Sequence, residues 1–317
     1  MTTSTTSDDL TRRQAGWMLA AILLVAAGLR LADLGDRTMG HIEAYVPGIE
    51  FPYGIAAPHP RITLWETLKG SFEEPHPPAW YVLNWPWTKV FGDELFWLRL
   101  PSVLAGLLGI WLIYRVAADH LDRTTGVVAA MILAVHGYHV FWSQIARPYS
   151  LSPTLALLGT VLLTRAVGDG ARRWRLGYAA TSLIGLATSY YYWPFFGAQM
   201  LWVFLATAGR RPAWRGILRE QLAVLTLATP VVALALFQSR ESYLEATFGG
   251  VLESLRDEWA GLGYLFRPYG DPRVAPPVGP IALHVLAGLT AVLALVGLAA
   301  PKRPSRDPES AGPGPSV

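Results

Sequence analysis

One histidine and one carboxylate stand two residues apart in "MGHIEAYVPG": His41 and Glu43, with Tyr45 two further on. A carboxylate held in surroundings that bring its pKa toward the working pH can accept the proton of a hydroxyl, and a neighbouring imidazole can assist. A second imidazole, His76, opens the aromatic stretch "HPPAWYVLNWPWTKVFG". Glu43, His41 and His76 are therefore the candidate catalytic groups. His41 and Glu43 could share a metal ion, but no third ligand follows at a suitable spacing, so no metal site and no divalent cofactor is expected.

Four cations lie among apolar and aromatic neighbours: Arg30, Lys89, Arg99, and Arg147 in "SQIARPYS". Such a cation must snorkel, pair, or face a polar cavity. Each has a plainer reading beside the functional one. Arg147 could pair with a helix end or a carboxylate, Arg99 with Asp93 or Glu94, and Lys89 could anchor a helix at the lipid interface. Gathered on one side of a membrane, they would suit a ligand whose charged head lies at headgroup level and whose tail stays in lipid. A polyprenyl phosphate is such a ligand, and arginine holds phosphate through a two-pronged fork. Tyr45, Trp80 and Tyr149 are the aromatic candidates for lipid or sugar contact.

The elements that must carry these groups are set by composition. Of 317 residues, 52% are hydrophobic and 15% charged, which places the chain among membrane proteins. Apolar runs at about 15–34, 95–117, 124–141, 150–165, 176–191, 194–208, 217–237 and 279–299 are candidate spanning helices. An all-α polytopic protein with about eight spans follows. The opening aromatic stretch at 76–91 is too short after its prolines to cross and is expected in or beneath the outer interface.

The net charge of +3 is small and sits in short arginine clusters between the apolar runs, a topology signal and no footprint of nucleic-acid binding. Placing those clusters inside puts both termini in the cytoplasm, with 1–14 and 301–317 as solvated tails around a membrane domain at 15–300. Two long outer segments result, 35–94 and 238–278, the first with a short interfacial helix in "ITLWETLKG". With no Cys there is no disulfide framework and no thiolate nucleophile. Nor is there a glycine-rich phosphate loop, a hydrolase nucleophile elbow, or a series of carboxylates within the apolar runs. A transporter of lipid or anions is the least favoured function class.

The ordered set "HPP", "FG", "RLPS" and "SQIARPY" resembles the C-type-fold membrane glycosyltransferases, specifically the dolichyl-phosphate-mannose-protein mannosyltransferase-like group, over roughly residues 15–210. The resemblance implies a C-type glycosyltransferase-like bundle with a structured first outer loop. It also implies transfer of a sugar from a polyprenyl-phosphate-linked donor to an acceptor hydroxyl, with inversion, at the outer face of the bacterial inner membrane. In that pattern Glu43 matches the Glu of an acidic pair whose Asp is replaced by Ile42. Arg99 and Arg147 match basic positions, and Ile145 stands where Glu is frequent. Loss of the Asp and the short C terminus also fit a second reading, a non-catalytic scaffold or accessory subunit whose membrane partner supplies further helices. Membrane lipids and polyprenyl phosphate are the expected small-molecule partners.

Overall fold

The computed structural model describes residues 10–38, 43, 63–72, 76–92, 94–206 and 211–242, with side chains at 206, 211–214 and 237–242 left aside. The chain divides into two units, Met1–Leu252 and Glu253–Val317, and the described residues all belong to the first. Among them there are helices and turns and no strand.

Local chemistry sets where the helices begin. Helix α1 (Arg12–Leu31) opens on a capping box, in which Thr11 accepts from the Gln14 N–H and the Gln14 side chain accepts from the Thr11 N–H. Helix α2 (Leu64–Ser71) opens the same way with Thr63 and Glu66. Those hydrogen bonds from Thr63 lower the pKa of the Glu66 carboxyl. Helix α3 (Ala79–Phe91) follows the two prolines of "HPP".

Three long apolar helices come next in kind: α1, α4 (Leu95–His120) and α7 (Leu151–Asp169) are long and apolar enough to cross a membrane. Between the last two lie α5 (Arg123–Val135) and α6 (Gly137–Ser143), bent by 64° at His136. His136 is extended, with ψ of 113°, and its ring nitrogen caps α6 by accepting from the His139 N–H. Helices α8 (Arg172–Thr188) and α9 (Tyr192–Ala206) form a hairpin, and α10 (Arg211–Leu227) bends by 46° into α11 (Thr229–Ser242).

The expectation of a C-type bundle with about eight spans is corrected by these lengths and breaks. Three helices among the described residues are long and apolar enough to cross, or up to five if each bent pair counts as one span. The runs at 124–141 and 217–237 are apolar throughout, but each is broken, at His136 and beside Pro230. Pro230, in the first turn of α11, has no N–H to give to the Thr226 carbonyl near the end of α10. The runs at 176–191 and 194–208 become helices of 17 and 15 residues, the first beginning with Arg172, Arg173 and Arg175, so neither meets the length for a crossing. The run at 279–299 and the segment 243–278 lie outside the described residues. Helix α3, with 13 residues, is about 20 Å long and too short to cross alone.

Close helix contacts rest on small residues. A Cβ at Gly109 of α4 would come 2.8 Å from Thr154 Oγ1, which donates across the α4–α7 contact to Ala105 O at 2.9 Å. Helices α8 and α10 are joined by Arg175, whose Nε lies 3.2 Å from both Glu220 carboxylate oxygens.

Pro101 lies inside α4, so the carbonyl of Trp97 has no N–H one turn later to receive. The indole of Trp87 fills that gap, donating from Nε1 to Trp97 O at 2.8 Å, and fastens α3 to α4. Trp87→Phe should leave this carbonyl unpaired and cost about 1–3 kcal/mol of stability in mild detergent. In a Pro101→Ala background the backbone N–H returns, so the same Trp87→Phe change should cost clearly less. Equal costs in the two backgrounds would show that the bond is not relieving the proline.

Candidate functional site

Arg99 lies at the outset of α4, two residues before Pro101, with 2% of its side chain exposed. A guanidinium has five N–H donors in a fixed planar fork. Here Nε donates to Glu43 Oε1 at 2.9 Å and Nη2 to Glu43 Oε2 at 2.7 Å. Nη2 also donates to Thr38 O at 3.2 Å, and Nη1 donates to Leu34 O at 2.7 Å and Arg37 O at 3.0 Å. All five donors are used. Arg99 therefore binds the turn after α1 and the Glu43 carboxylate together, and these five bonds leave it no N–H for a phosphate.

Glu43 is 1% exposed. Its Oε1 accepts a third hydrogen bond, from the backbone N–H of Ala146 at 2.9 Å. That N–H is available because Ile145, Ala146 and Arg147 form a three-residue turn, with the Arg147 N–H donating to Ile145 O at 2.8 Å. Pro148 holds Arg147 out of the helical region and its carbonyl starts α7 by accepting from the Ser152 N–H. The motif "SQIARPYS" is thus a tight joint between two helices, and its N–H faces the carboxylate.

Gln144 secures the other side of the joint. Its Nε2 lies 3.1 Å from Ala32 O, 3.2 Å from Arg30 O and 3.3 Å from Leu29 O, and its Oε1 accepts from Arg37 at 2.6 Å. The amide closes the C-terminal end of α1, whose last carbonyls have no partner within the helix. Burial, and then the nearby Arg99, lower the pKa of Arg37.

Arg147 is buried beside this pair. Its Nη1 donates to the Tyr81 hydroxyl at 2.7 Å, and its carbonyl accepts from Ser102 Oγ at 3.3 Å, one turn along α4 from Arg99. His76 Nε2 lies 3.2 Å from the Tyr149 hydroxyl, and the two rings meet edge to face at 5.3 Å. Burial, and then the positive charge of Arg147, push the His76 pKa down to about 4. Trp80 is buried with Tyr81, Leu98 and Ala146 in the apolar cluster beneath these groups.

The structure brings Glu43, Arg99, Arg147, His76, Trp80 and Tyr149 into one connected region. Lys89 is elsewhere: it is exposed at the end of α3, its ammonium 5.8 Å from the centre of the Trp85 ring. Arg30 serves the helix break instead of the region around Arg147. It is 0% exposed, donates to Ala134 O at 2.9 Å and Leu133 O at 3.4 Å, and lies 2.7 Å from His139 Nδ1. The last turn of α5 is thereby capped by an arginine from α1. His41 and Tyr45 lie outside the described residues. No group of three or more metal-binding side chains occurs among the described residues.

Tyr81, Ser102, Gln144 and the Ala146 N–H were not singled out from sequence. Tyr81 lies in the aromatic stretch and Gln144 in the "SQIARPY" motif, so motif membership was an available signal for both. Ser102 closes the "RLPS" motif and Ala146 lies within "SQIARPY", so the same signal covered them, although a backbone N–H is not marked by residue type.

Residues 75–238 match the dolichyl-phosphate-mannose-protein mannosyltransferase family, over half of the chain. The chain belongs to that family. The matched range takes in His76, Arg99 and Arg147 and begins after Glu43. A relative from Bacillus subtilis (strain 168), named "Putative mannosyltransferase YycA", is 30% identical over 111 residues, which is 35% of this chain. The aligned part is 16% of that relative, so the chain matches about one sixth of its length. No solved structure matches.

The low His76 pKa has a consequence for stability. The unfolded histidine, with its ordinary value near 6.5, takes up a proton before the folded one does, so stability is full above about pH 6.5 and falls as the pH drops toward 4. Between pH 7 and 5 the share of His76 should be about 2 kcal/mol. Thermal unfolding in mild detergent should show this acid loss, and His76→Gln should remove part of it. Parallel pH profiles for the two proteins would contradict the burial-driven shift.

Proposed function

We propose that the chain transfers a sugar from a polyprenyl-phosphate-linked donor to an acceptor hydroxyl at the outer face of the bacterial inner membrane. Family membership supports glycosyl transfer as the reaction class. The observation that carries the finer reading is the convergence of Glu43, Arg99 and the 144–149 joint on one buried region.

In this reading the bond between the sugar C1 and the phosphate oxygen breaks, and its electron pair leaves with the phosphate. The acceptor oxygen bonds to C1 from the opposite face, inverting the centre. Arg147 holds the phosphate as charge grows on it, giving the electrostatic help such a step needs. Glu43 takes the acceptor proton, oriented by Arg99 as a base is oriented by a third group. No metal is invoked.

The saturation of Arg99 and the depth of Glu43 favour a second reading. A carboxylate this buried and this fully held has a structural task, and a chain whose acidic group serves structure would be a non-catalytic scaffold or accessory subunit of a membrane complex.

The test uses the protein in lipid nanodiscs with a radiolabelled polyprenyl-phosphate-mannose and a cell-envelope acceptor fraction. Transfer of label with release of polyprenyl phosphate is expected from the native chain. Arg147→Leu should raise the donor KM about ten-fold or more, and Arg147→Lys should recover part of that loss. Absence of label transfer by the native chain, with a membrane protein co-purifying in fixed ratio, would establish the scaffold reading instead.

A further inference from the structure

Helices α7, α8, α9 and α10 enclose a second polar cluster that the region around Arg147 does not use. Gln199 of α9 is its fully engaged member: Oε1 accepts from the Tyr178 hydroxyl at 3.1 Å, and Nε2 lies 2.9 Å from Ala156 O and 3.1 Å from Thr160 Oγ1. Beside it stands Tyr192. Its ring lies flat against Gly185 of α8, where an added Cβ would come within 2.5 Å, and its hydroxyl sits over Gly159 of α7, 3.2 Å from where a Cβ would be.

Four buried polar atoms on α8, α9 and α10 have no well-formed hydrogen bond: Ser182 Oγ, Tyr192 Oη, and both Nε2 and Oε1 of Gln221. All three side chains are almost wholly buried, Ser182 and Tyr192 at 0% and Gln221 at 1% exposure. Ser182 lies beside the hydroxyls of both Tyr178 and Tyr192, close enough to influence each but without a well-formed bond.

Gln221 belongs at the same level by register. It follows Ile217 by four residues and precedes Val224 by three, which puts all three on one face of α10. Ile217 packs in the cluster of Tyr178, and Val224 packs in the cluster of Tyr192. Ser182 stands between Tyr178 and Leu186 on the facing side of α8, so both side chains lie at the junction of the two apolar clusters.

Orphaned polar groups of this kind destabilise a fold when nothing pairs with them. An apolar solvent around the bundle cannot supply the pairing. Together the four atoms offer donors and acceptors to a small group that both donates and accepts, and a water molecule needs two to four such partners. We propose that Ser182, Tyr192 and Gln221 form a binding site for a structural water that joins α8, α9 and α10 within the bundle. Interhelical hydrogen bonds of this sort replace the hydrophobic drive that is weak between helices in lipid.

Hydroxyl-radical footprinting by a millisecond X-ray pulse, on the full chain in mild detergent and 18O-labelled water, reads this directly. Tyr192 should acquire 18O at a rate far above that of a dry buried tyrosine, with the exposed Tyr191 as internal reference. Gln221→Leu should lower the Tm by several degrees and remove the label from Tyr192, and Ser182→Ala should reduce the label in the same way. An unlabelled Tyr192 in the native protein, or a Tm that rises in Gln221→Leu because an unpaired amide has been removed, would overturn the proposal.

Discussion

The packing of this membrane domain depends on a buried ion pair whose cation has no donor to spare. Arg99 of α4 uses all five N–H groups on Glu43 and on three carbonyls of the turn after α1, and Glu43 passes the restraint on to the Ala146 N–H. Three parts of the chain, at Glu43, Arg99 and Ala146, meet at one carboxylate. A charge buried this deeply is tolerated only when it is paired and hydrogen-bonded. The pair therefore binds the start of α4, the end of α1 and the joint before α7 into one arrangement, and Arg147 and His76 take their positions from it.

Broken helices make that arrangement reachable. The turn at His136 frees the carbonyls of Leu133 and Ala134, and Arg30 pairs with them while Gln144 closes the end of α1. Pro148 ends the extended joint and begins α7, and Pro101 leaves a carbonyl that Trp87 satisfies. At His136 and at Pro101 a lost backbone bond is replaced by a side chain from another helix. Local departures from helical geometry thus become ties between helices, which is the form that cohesion takes where the surrounding solvent is as apolar as the helices themselves.

Much of this was readable before any coordinates. The apolar runs at 15–34, 95–117 and 150–165 fall on α1, α4 and α7, and cations in apolar surroundings drew attention to Arg99 and Arg147. The pairing partner was not readable, because Asp93 and Glu94 are nearer to Arg99 in sequence than Glu43 is. Arg30 was grouped with the other cations, since an arginine that caps a helix from another element looks the same in sequence as one awaiting a phosphate. Spans were overcounted because hydropathy averages over a window and is blind to the break within it: His136 and Pro230 change the geometry of an apolar run without changing its apolarity. The polar cluster around Gln199 went unseen for the opposite reason, its members being scattered singly along runs that are apolar on average.

A double-mutant cycle on Glu43 and Arg99 tests the central interaction most directly, read as unfolding free energy of the protein in mild detergent. Glu43→Gln and Arg99→Met should each cost about 3–5 kcal/mol by leaving the other charge buried and unpaired. The double variant should cost little more than either one, giving a coupling of at least about 2 kcal/mol. Additive losses, with no coupling between the two positions, would show that the pair does not hold the domain together.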